Sequence, residues 1–195
     1  MIVYLFKIRH FAIFLLAGVF KVAGMRMEKR NPESEQPLKS SFQCVDAIEI
    51  SLFVEKEGLF FYESLGKKTK DPRVRQMFSH LADEEREHIQ TLQEKSRYLQ
   101  PAIAGQKRDN ANLSRFISEE LKGKIFPPLT GSAAQNIDDD KQALDLGIES
   151  EKRSIEMLQS LLGKEKKLDV KAIFSHLLAE EKKHLLMLQG LKVKL

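Results

Sequence analysis

FSHLADEEREH at residues 78–88 returns as FSHLLAEEKKH at residues 174–184, at an offset of 96 residues. The same offset carries Ala47–Ile50 (AIEI) onto Ala143–Leu146 (ALDL). Self-similarity at a fixed period is the signature of a repeated structural unit. We infer that one helical hairpin occurs twice in the chain.

Four helices are predicted, because apolar residues in each half recur with a period of 3.6 residues rather than the period of two that a strand requires. The Asp71-Pro72 pair marks one helix start, and Gly66 and Gly163 mark two helix ends. The predicted helices span about residues 44–66, 71–101, 138–163 and 168–190.

The connections between these helices predict the topology. Those after the first and third helices are short, so each joins an antiparallel pair, whereas the stretch between the second and third is far longer than a hairpin needs. A segment of that length crosses over along the bundle. It contains four apolar residues that favour a short packing helix, namely Phe116, Ile117, Leu121 and Ile125. The predicted fold class is all-α, an antiparallel four-helix bundle with one long crossover.

Composition excludes several classes of function. The 195 residues suffice for one well-buried domain. Charges of both signs are spread along the chain, with a formal net charge of +4. Because no Lys/Arg cluster alternates with aromatic residues, we expect no nucleic-acid partner. Cys44 is the single cysteine, which excludes an internal disulfide and a paired-cysteine metal or redox site, and we predict a reducing compartment.

The N-terminus is apolar and basic, with no acidic residue in positions 1–24. Three interpretations stay open for it: a signal peptide, a membrane anchor, or a mis-assigned start upstream of Met25 or Met27. We predict a cytoplasmic protein, with export or anchoring as the alternative. Residues 1–43 are predicted to form an apolar segment and flexible leader, and residues 44–192 the bundle.

The apolar stripe of each predicted helix is interrupted near mid-length by one carboxylate. In the second and fourth helices a histidine follows one turn later on the same face. The interrupting residues, in chain order, are Glu55, Glu85, His88, Glu151, Glu181 and His184.

Four carboxylates that meet in an apolar core require a cation between them, because each would otherwise cost several kcal/mol. No Lys or Arg lies on the stripes, and two divalent ions would balance the four negative charges. Mixed carboxylate and imidazole ligands suit iron or manganese better than magnesium or calcium, and the absence of thiolate argues against structural zinc. We predict two iron ions, with manganese as the alternative metal.

A glutamate from each of two helices and Glu-x-x-His from each of the other two is the ligand set of di-iron and di-manganese bundles. Because Glu55 also lies seven residues before Tyr62, the chain resembles the rubrerythrin branch of the ferritin-like superfamily over about residues 44–192. That resemblance implies a ferritin-like fold. It also implies bridging roles for Glu85 and Glu181, terminal roles for Glu55 and Glu151, and one metal each for His88 and His184.

Two departures from the family pattern limit what transfers. Rubrerythrins carry a second glutamate one turn after the ligand of the third helix, where this chain has Ser154. They also carry a four-cysteine rubredoxin-like module, so electrons are expected here from a separate donor such as a rubredoxin-like protein. Tyr62 is the candidate catalytic residue: it hydrogen-bonds a ligand carboxylate, forms a radical, or is a core aromatic.

Other acidic residues and histidines near the motifs are predicted to lie on the surface. The glutamates assigned to solvated helix faces are Glu49, Glu57, Glu84, Glu149 and Glu180. His80 and His176 repeat at the same offset but lie about 100° off the stripe of an ideal helix. We predict that these two histidines are surface or subunit-contact residues.

The resemblance implies an oxidoreductase that reduces hydrogen peroxide or dioxygen at a carboxylate-bridged centre. Two alternatives come from other classes: a non-catalytic iron-binding, iron-storage or iron-sensing protein, and a metal-free helical interaction module. We expect the chain to form a homodimer.

Overall fold

A computed structural model describes residues 42–103, 110–129, 137 and 139–195 of the chain. The helices are α1 (Cys44–Lys68), α2 (Pro72–Ile103), α3 (Asn110–Phe116), a π-helical turn (Ile117–Leu121), α4 (Asp140–Lys164) and α5 (Leu168–Lys192). Within these ranges there is no strand, and the all-α prediction is confirmed. The four long helices are the four predicted ones, with ends that differ from the prediction by a few residues. Residues 1–41, which make up most of the predicted N-terminal segment and leader (1–43), lie outside the described ranges, and the predicted domain limits stay a prediction.

Each helical hairpin is closed by a three-residue connection, at residues 69–71 and 165–167. Pro72 occupies the first position of α2, and Asp71 comes directly before it. The Asp71 carboxylate accepts a hydrogen bond from the backbone N–H of Arg73 at 2.8 Å. This arrangement satisfies one of the free donors of the α2 N-terminus. Asp140 of the other hairpin accepts from the backbone N–H groups of Lys70 and Asp71, both at 2.7 Å. The start of α4 is thereby joined to the α1–α2 connection.

The bundle core consists of the apolar stripes of all four long helices. Phe78 and Phe174, the first residues of the two repeated motifs, are fully buried. Phe78 stacks on Tyr62 with ring centroids 6.0 Å apart, and the ring of Phe42 meets Phe174 edge-on at 6.3 Å. Burying one such side chain contributes about 1.5–3 kcal/mol. The core therefore holds the polar residues of its middle layer in fixed positions.

The described part of the crossover packs on α1. Phe126 lies against Phe61 and Tyr62, with ring centroids 5.3 and 6.0 Å apart. The chain reaches this position through Gly123, whose φ of +69° favours glycine. The Gly123 N–H donates to the Glu57 carboxylate at 3.1 Å, so the prediction that Glu57 is merely solvated is wrong: it holds the crossover in place.

The predicted packing segment of the crossover is present as α3 and the π-helical turn. Phe116, Leu121 and Ile125 are buried, and Ile117 packs partly buried against the core. Among the residues that the structure describes, no helix combines the length and apolar character needed to cross a membrane. The cytoplasmic location stays a prediction.

Candidate metal centre

All six stripe residues converge at mid-height of the bundle. Ligand atoms of Glu85, Glu151, Glu181 and His184 lie within 4.8 Å of one another, and so do those of Glu55, Glu85 and His88. The two groups share Glu85. All four helices therefore contribute to one cluster, which consists of two adjoining sites.

This cluster is buried and its polar atoms are incompletely paired. No carboxylate in it is more than 2% exposed, and His184 is 1% exposed. Five atoms have no hydrogen-bond partner among the described residues: Glu85 Oε1, Glu151 Oε2, Glu181 Oε2, and both Nδ1 and Nε2 of His184. Unpaired buried polar groups cost about 1–3 kcal/mol each, and more when charged. A cation among them removes that cost.

Electrostatics within the cluster leads to the same conclusion. Burial, reinforced by the Glu55 carboxylate, raises the pKa of Glu85 well above its usual range. Burial and the neighbouring Glu181 raise the pKa of Glu151 in the same way. Burial lowers the pKa of His184, but the carboxylates of Glu151 and Glu181 outweigh this effect and raise it to about 10. Without a metal, the cluster takes up protons instead.

Both histidines direct Nδ1 at the carboxylates. His184 Nδ1 lies 3.5 Å from an oxygen of Glu85 and 3.6 Å from oxygens of Glu151 and Glu181. His88 Nδ1 lies 3.3 Å from Glu55 Oε2 and 3.9 Å from Glu85 Oε2. Two donor atoms that each lie about 2.0–2.2 Å from one metal ion are separated from each other by distances like those just given for the histidine nitrogens and carboxylate oxygens. The nitrogen and oxygen donors therefore fit metal coordination.

On its outer side, each histidine faces a glutamate of the opposite hairpin. His184 Nε2 lies 3.4 Å from Glu84 Oε2, and His88 Nε2 lies 3.8 Å from Glu180 Oε2. The prediction that Glu84 and Glu180 occupy solvated faces is wrong, since both are half-buried. A carboxylate behind a histidine fixes the tautomer and orientation of the ring. The sequence contained an indication of this arrangement, because the Glu-Glu-x-x-His motif is repeated and its first glutamate, Glu84 or Glu180, occurs in both copies.

Two hydroxyl groups hold carboxylates of the second hairpin. The Tyr62 phenol donates to Glu151 Oε1, and the Ser154 hydroxyl donates to Glu181 Oε1 at 2.6 Å. Burial, followed by the Glu151 charge, raises the pKa of Tyr62 well above its usual range, so the phenol keeps its proton. One predicted role of Tyr62, the hydrogen bond to a candidate ligand, is therefore present in the structure.

Gly58 provides the space for Glu85. A Cβ at this position would lie 3.1 Å from Glu85 Oε1 and 3.3 Å from Cζ of Phe126. The offset of 96 residues makes Gly58 the equivalent of Ser154. At this position the first hairpin has no side chain beside Glu85, whereas the second hairpin has a hydroxyl group that donates to Glu181. Sequence reasoning missed Gly58, although the offset alone paired it with Ser154.

With this geometry established, comparison with known families gives one result. A family model described as Rubrerythrin matches residues 46–192, which is more than half of the chain. The chain belongs to the rubrerythrin family. The resemblance inferred from the ligand pattern is thereby confirmed. Neither the comparison with curated proteins nor that with solved structures produced a match.

Membership of the rubrerythrin family suggests iron as the metal, and the donor set agrees with it. The cluster offers carboxylate oxygens and imidazole nitrogens and no thiolate, a combination that suits iron. The unpaired oxygen and nitrogen atoms of the cluster are available to such a metal. The structure brings together all six residues predicted as ligands, and their individual ligand roles stay a prediction.

Proposed function

We propose that this chain is a di-iron oxidoreductase of the rubrerythrin type, which reduces hydrogen peroxide or dioxygen with electrons from a separate donor. The observation that supports it best is the buried six-residue cluster, in which four carboxylates converge without a Lys or Arg partner among the described residues. Two divalent iron ions balance these four charges, and manganese is the alternative metal. The family relationship supports the reaction class.

The proposed ligand roles follow the two groups of donor atoms. Glu55 and His88 bind one metal, and Glu151 and His184 bind the other. Glu85 belongs to both groups, which supports its role as a bridge. Glu181 belongs to the second group, and its bridging role rests on its equivalence to Glu85 in the repeat.

When bound, two ferrous ions supply the two electrons that cleave an O–O bond. With two protons, hydrogen peroxide is then converted to two water molecules. Two hydroxyl groups position the ligands, since Tyr62 and Ser154 hold carboxylates of the second hairpin. Glu84 and Glu180 place a negative charge near the outer nitrogens of the two histidines. Because the phenol of Tyr62 is protonated and buried beside Glu151, it stabilises negative charge on that carboxylate.

The proposed partners are a small oxidant, an electron donor and a second copy of the chain. With one cysteine, this sequence holds no four-cysteine iron site, so we propose a rubredoxin-like protein as donor. The proposed second copy forms a homodimer with the first, and the exposed side chains of Phe60 of α1 and Leu186 of α5 are available to such a contact. Sedimentation equilibrium of the metal-loaded protein tests the dimer.

Rapid mixing under anaerobic conditions tests the reaction. Reduced, iron-loaded protein is mixed with equal concentrations of hydrogen peroxide or dioxygen, and oxidation is followed by absorbance. We expect faster oxidation by peroxide and no large ferric mineral. Faster reaction with dioxygen would favour an oxidase, and accumulation of many irons per chain would favour the iron-storage alternative.

A further inference from the structure

The two candidate histidine ligands differ in their access to solvent. The His88 side chain is 21% exposed, whereas that of His184 is 1% exposed. A cavity of about 70 Å³ lies beside His88, between α1, α2 and α5. Because one water needs roughly 10–15 Å³ of such volume, the cavity accommodates a molecule several times larger. It reaches the cluster directly, since Glu55 and His88 form part of its wall.

The wall of this cavity contains an unpaired hydroxyl group. Ser51 is fully buried, lines the cavity, and its Oγ has no hydrogen-bond partner among the described residues. A buried polar group of this kind is normally paired with protein, water or ligand. Thr91 and Lys95 line the outer part of the cavity and are exposed. Polar side chains therefore line the path from solvent to His88, beside the apolar residues of the same wall.

In the other hairpin the repeat replaces each of these polar residues with an apolar one. The offset of 96 residues pairs Ser51 with Gly147, Thr91 with Met187 and Lys95 with Leu191. Met187 and Leu191 pack partly buried against the hydrophobic core.

The space beside Gly147 is occupied. A Cβ at Gly147 would lie 3.3 Å from Cδ1 of Leu188 and 3.4 Å from Cε1 of Phe78. The position equivalent to Ser51 is therefore packed against apolar side chains, whereas Ser51 itself lines the cavity.

We propose that small molecules reach the metal centre through this cavity, at the metal held by Glu55, Glu85 and His88, and that the Ser51 hydroxyl hydrogen-bonds the entering molecule. The class of ligand is a small oxygen or nitrogen species of the size of hydrogen peroxide or azide. This inference rests on the proposed function in requiring iron at the centre. It adds that one side of the centre receives the oxidant and that the other stays closed.

Azide binding to the oxidised, iron-loaded protein tests the entry path without turnover. Thr91→Met introduces into the open half the residue that its counterpart has in the closed half. We expect azide to bind about tenfold more weakly or worse, because the added side chain occupies the volume that azide needs. Gln93→Met, at an exposed position of the same helix outside the cavity lining, is the matched control and should bind azide like the natural chain. Equal affinity in the natural chain and Thr91→Met would overturn the proposal.

Ser51→Ala provides a second and milder test, which also serves if the Thr91→Met protein loads poorly with iron. Loss of one hydrogen bond should weaken azide binding by about threefold to tenfold, with iron content unchanged. Unchanged affinity would remove Ser51 from the proposal. If azide binds as expected and peroxide is not reduced, the proposed function fails and the entry path stands. If peroxide is reduced and neither variant changes azide binding, the entry path fails alone.

Discussion

The two hairpins of the repeat provide the same candidate ligands in different surroundings. In the first hairpin, Glu55 and His88 adjoin a cavity that is open to solvent and is lined by polar and apolar side chains. In the second, Glu151 and His184 are fully buried, and Glu151 accepts a hydrogen bond from Tyr62. The comparison indicates that the ligand sets of the two sites have stayed alike while the residues around them have become different.

The differences occur at matched positions of the repeat, so each can be tested as a pair. Gly58 of the first hairpin corresponds to Ser154 of the second, and Tyr62 corresponds to Leu158. The Glu85 carboxylate thus lies directly against Gly58, which has no side-chain donor, whereas the carboxylates of the second hairpin accept hydrogen bonds from two hydroxyl groups. We infer that the second site holds its metal more firmly and that the first site exchanges metal and ligands.

Replacing Glu85 with Ala should produce the largest effect, because its carboxylate belongs to both groups of donors. We expect iron binding at both sites to fail together, whereas Glu55→Ala should chiefly affect the first site. Iron per chain after anaerobic loading and gel filtration measures both outcomes. Glu149→Ala, at an exposed position of α4, is the control. Two irons per chain with an unchanged spectrum in Glu85→Ala would contradict the bridging role.

Removing the metal should destabilise the protein by several kcal/mol, increasingly as the pH rises. The pKa values of Glu85 and Glu151 are raised in the folded metal-free state, so that state keeps protons that the unfolded chain releases above about pH 4.5. His184, whose pKa is about 10, adds stability that is lost from about pH 6.5 upward. The pKa of Glu181 is lowered, because burial raises it but hydrogen bonding by His184 lowers it more. The ionisation of Glu181 therefore changes stability only at a lower pH than these groups do.

Urea unfolding of metal-free and iron-loaded protein between pH 5 and 8 checks this expectation. The metal-free protein should lose stability across the range, and the iron-loaded protein should not follow it, because metal binding requires ionised carboxylates. Parallel curves for the two forms would show that protonation of the cluster does not determine stability.

The fold and the six candidate ligands could be predicted from the sequence because both depend on spacing along a helix. A carboxylate that interrupts an apolar stripe is visible from the residue pattern of one helix alone. Four helices with such an interruption at mid-length indicate that the four carboxylates share one site. Glu84 and Glu180 escaped prediction because each lies one position from a stripe, and its partner is on another helix. The cavity beside His88 also depends on three helices at once, so no periodicity in one helix indicates it.

The crossover was predictable only in part, for a related reason. Its apolar residues indicated a packing segment, and Phe116 and Leu121 are buried as expected. The turn at Gly123 and its hydrogen bond to Glu57 depend on backbone geometry and on a contact with α1. A helical period carries no information on either.

Tyr62→Phe should weaken the second site selectively. The change keeps the buried ring and removes the donor to Glu151, at a cost of about 1.5–3 kcal/mol for a hydrogen bond to a charged group. We expect faster loss of one iron to a chelator, with the other iron released at the natural rate. Leu158→Ala, the same-register change in the other hairpin, removes core packing without removing a hydrogen bond to a ligand. If Tyr62→Phe releases both irons at natural rates, the phenol does not stabilise Glu151.

Ser154→Ala should produce the smallest effect, and Ser150 supplies its control. Both serines are fully buried in α4, but Ser154 donates to Glu181 at 2.6 Å while Ser150 Oγ has no partner among the described residues. Ser154→Ala should therefore weaken iron binding at the second site by a factor that corresponds to about 1.5 kcal/mol, the lower end of the range for a hydrogen bond to a charged group, whereas Ser150→Ala should leave it unchanged.

Competition with a ferrous chelator measures the difference between the two serine variants. The expected order follows from hydrogen bonding alone, since the two changes remove the same atom from equally buried positions of one helix. Because the family glutamate is absent at this position, Ser154 fixes Glu181 instead of offering another metal ligand. A larger loss in Ser150→Ala than in Ser154→Ala would mean that packing of α4, rather than the hold on Glu181, determines how firmly the second site binds iron.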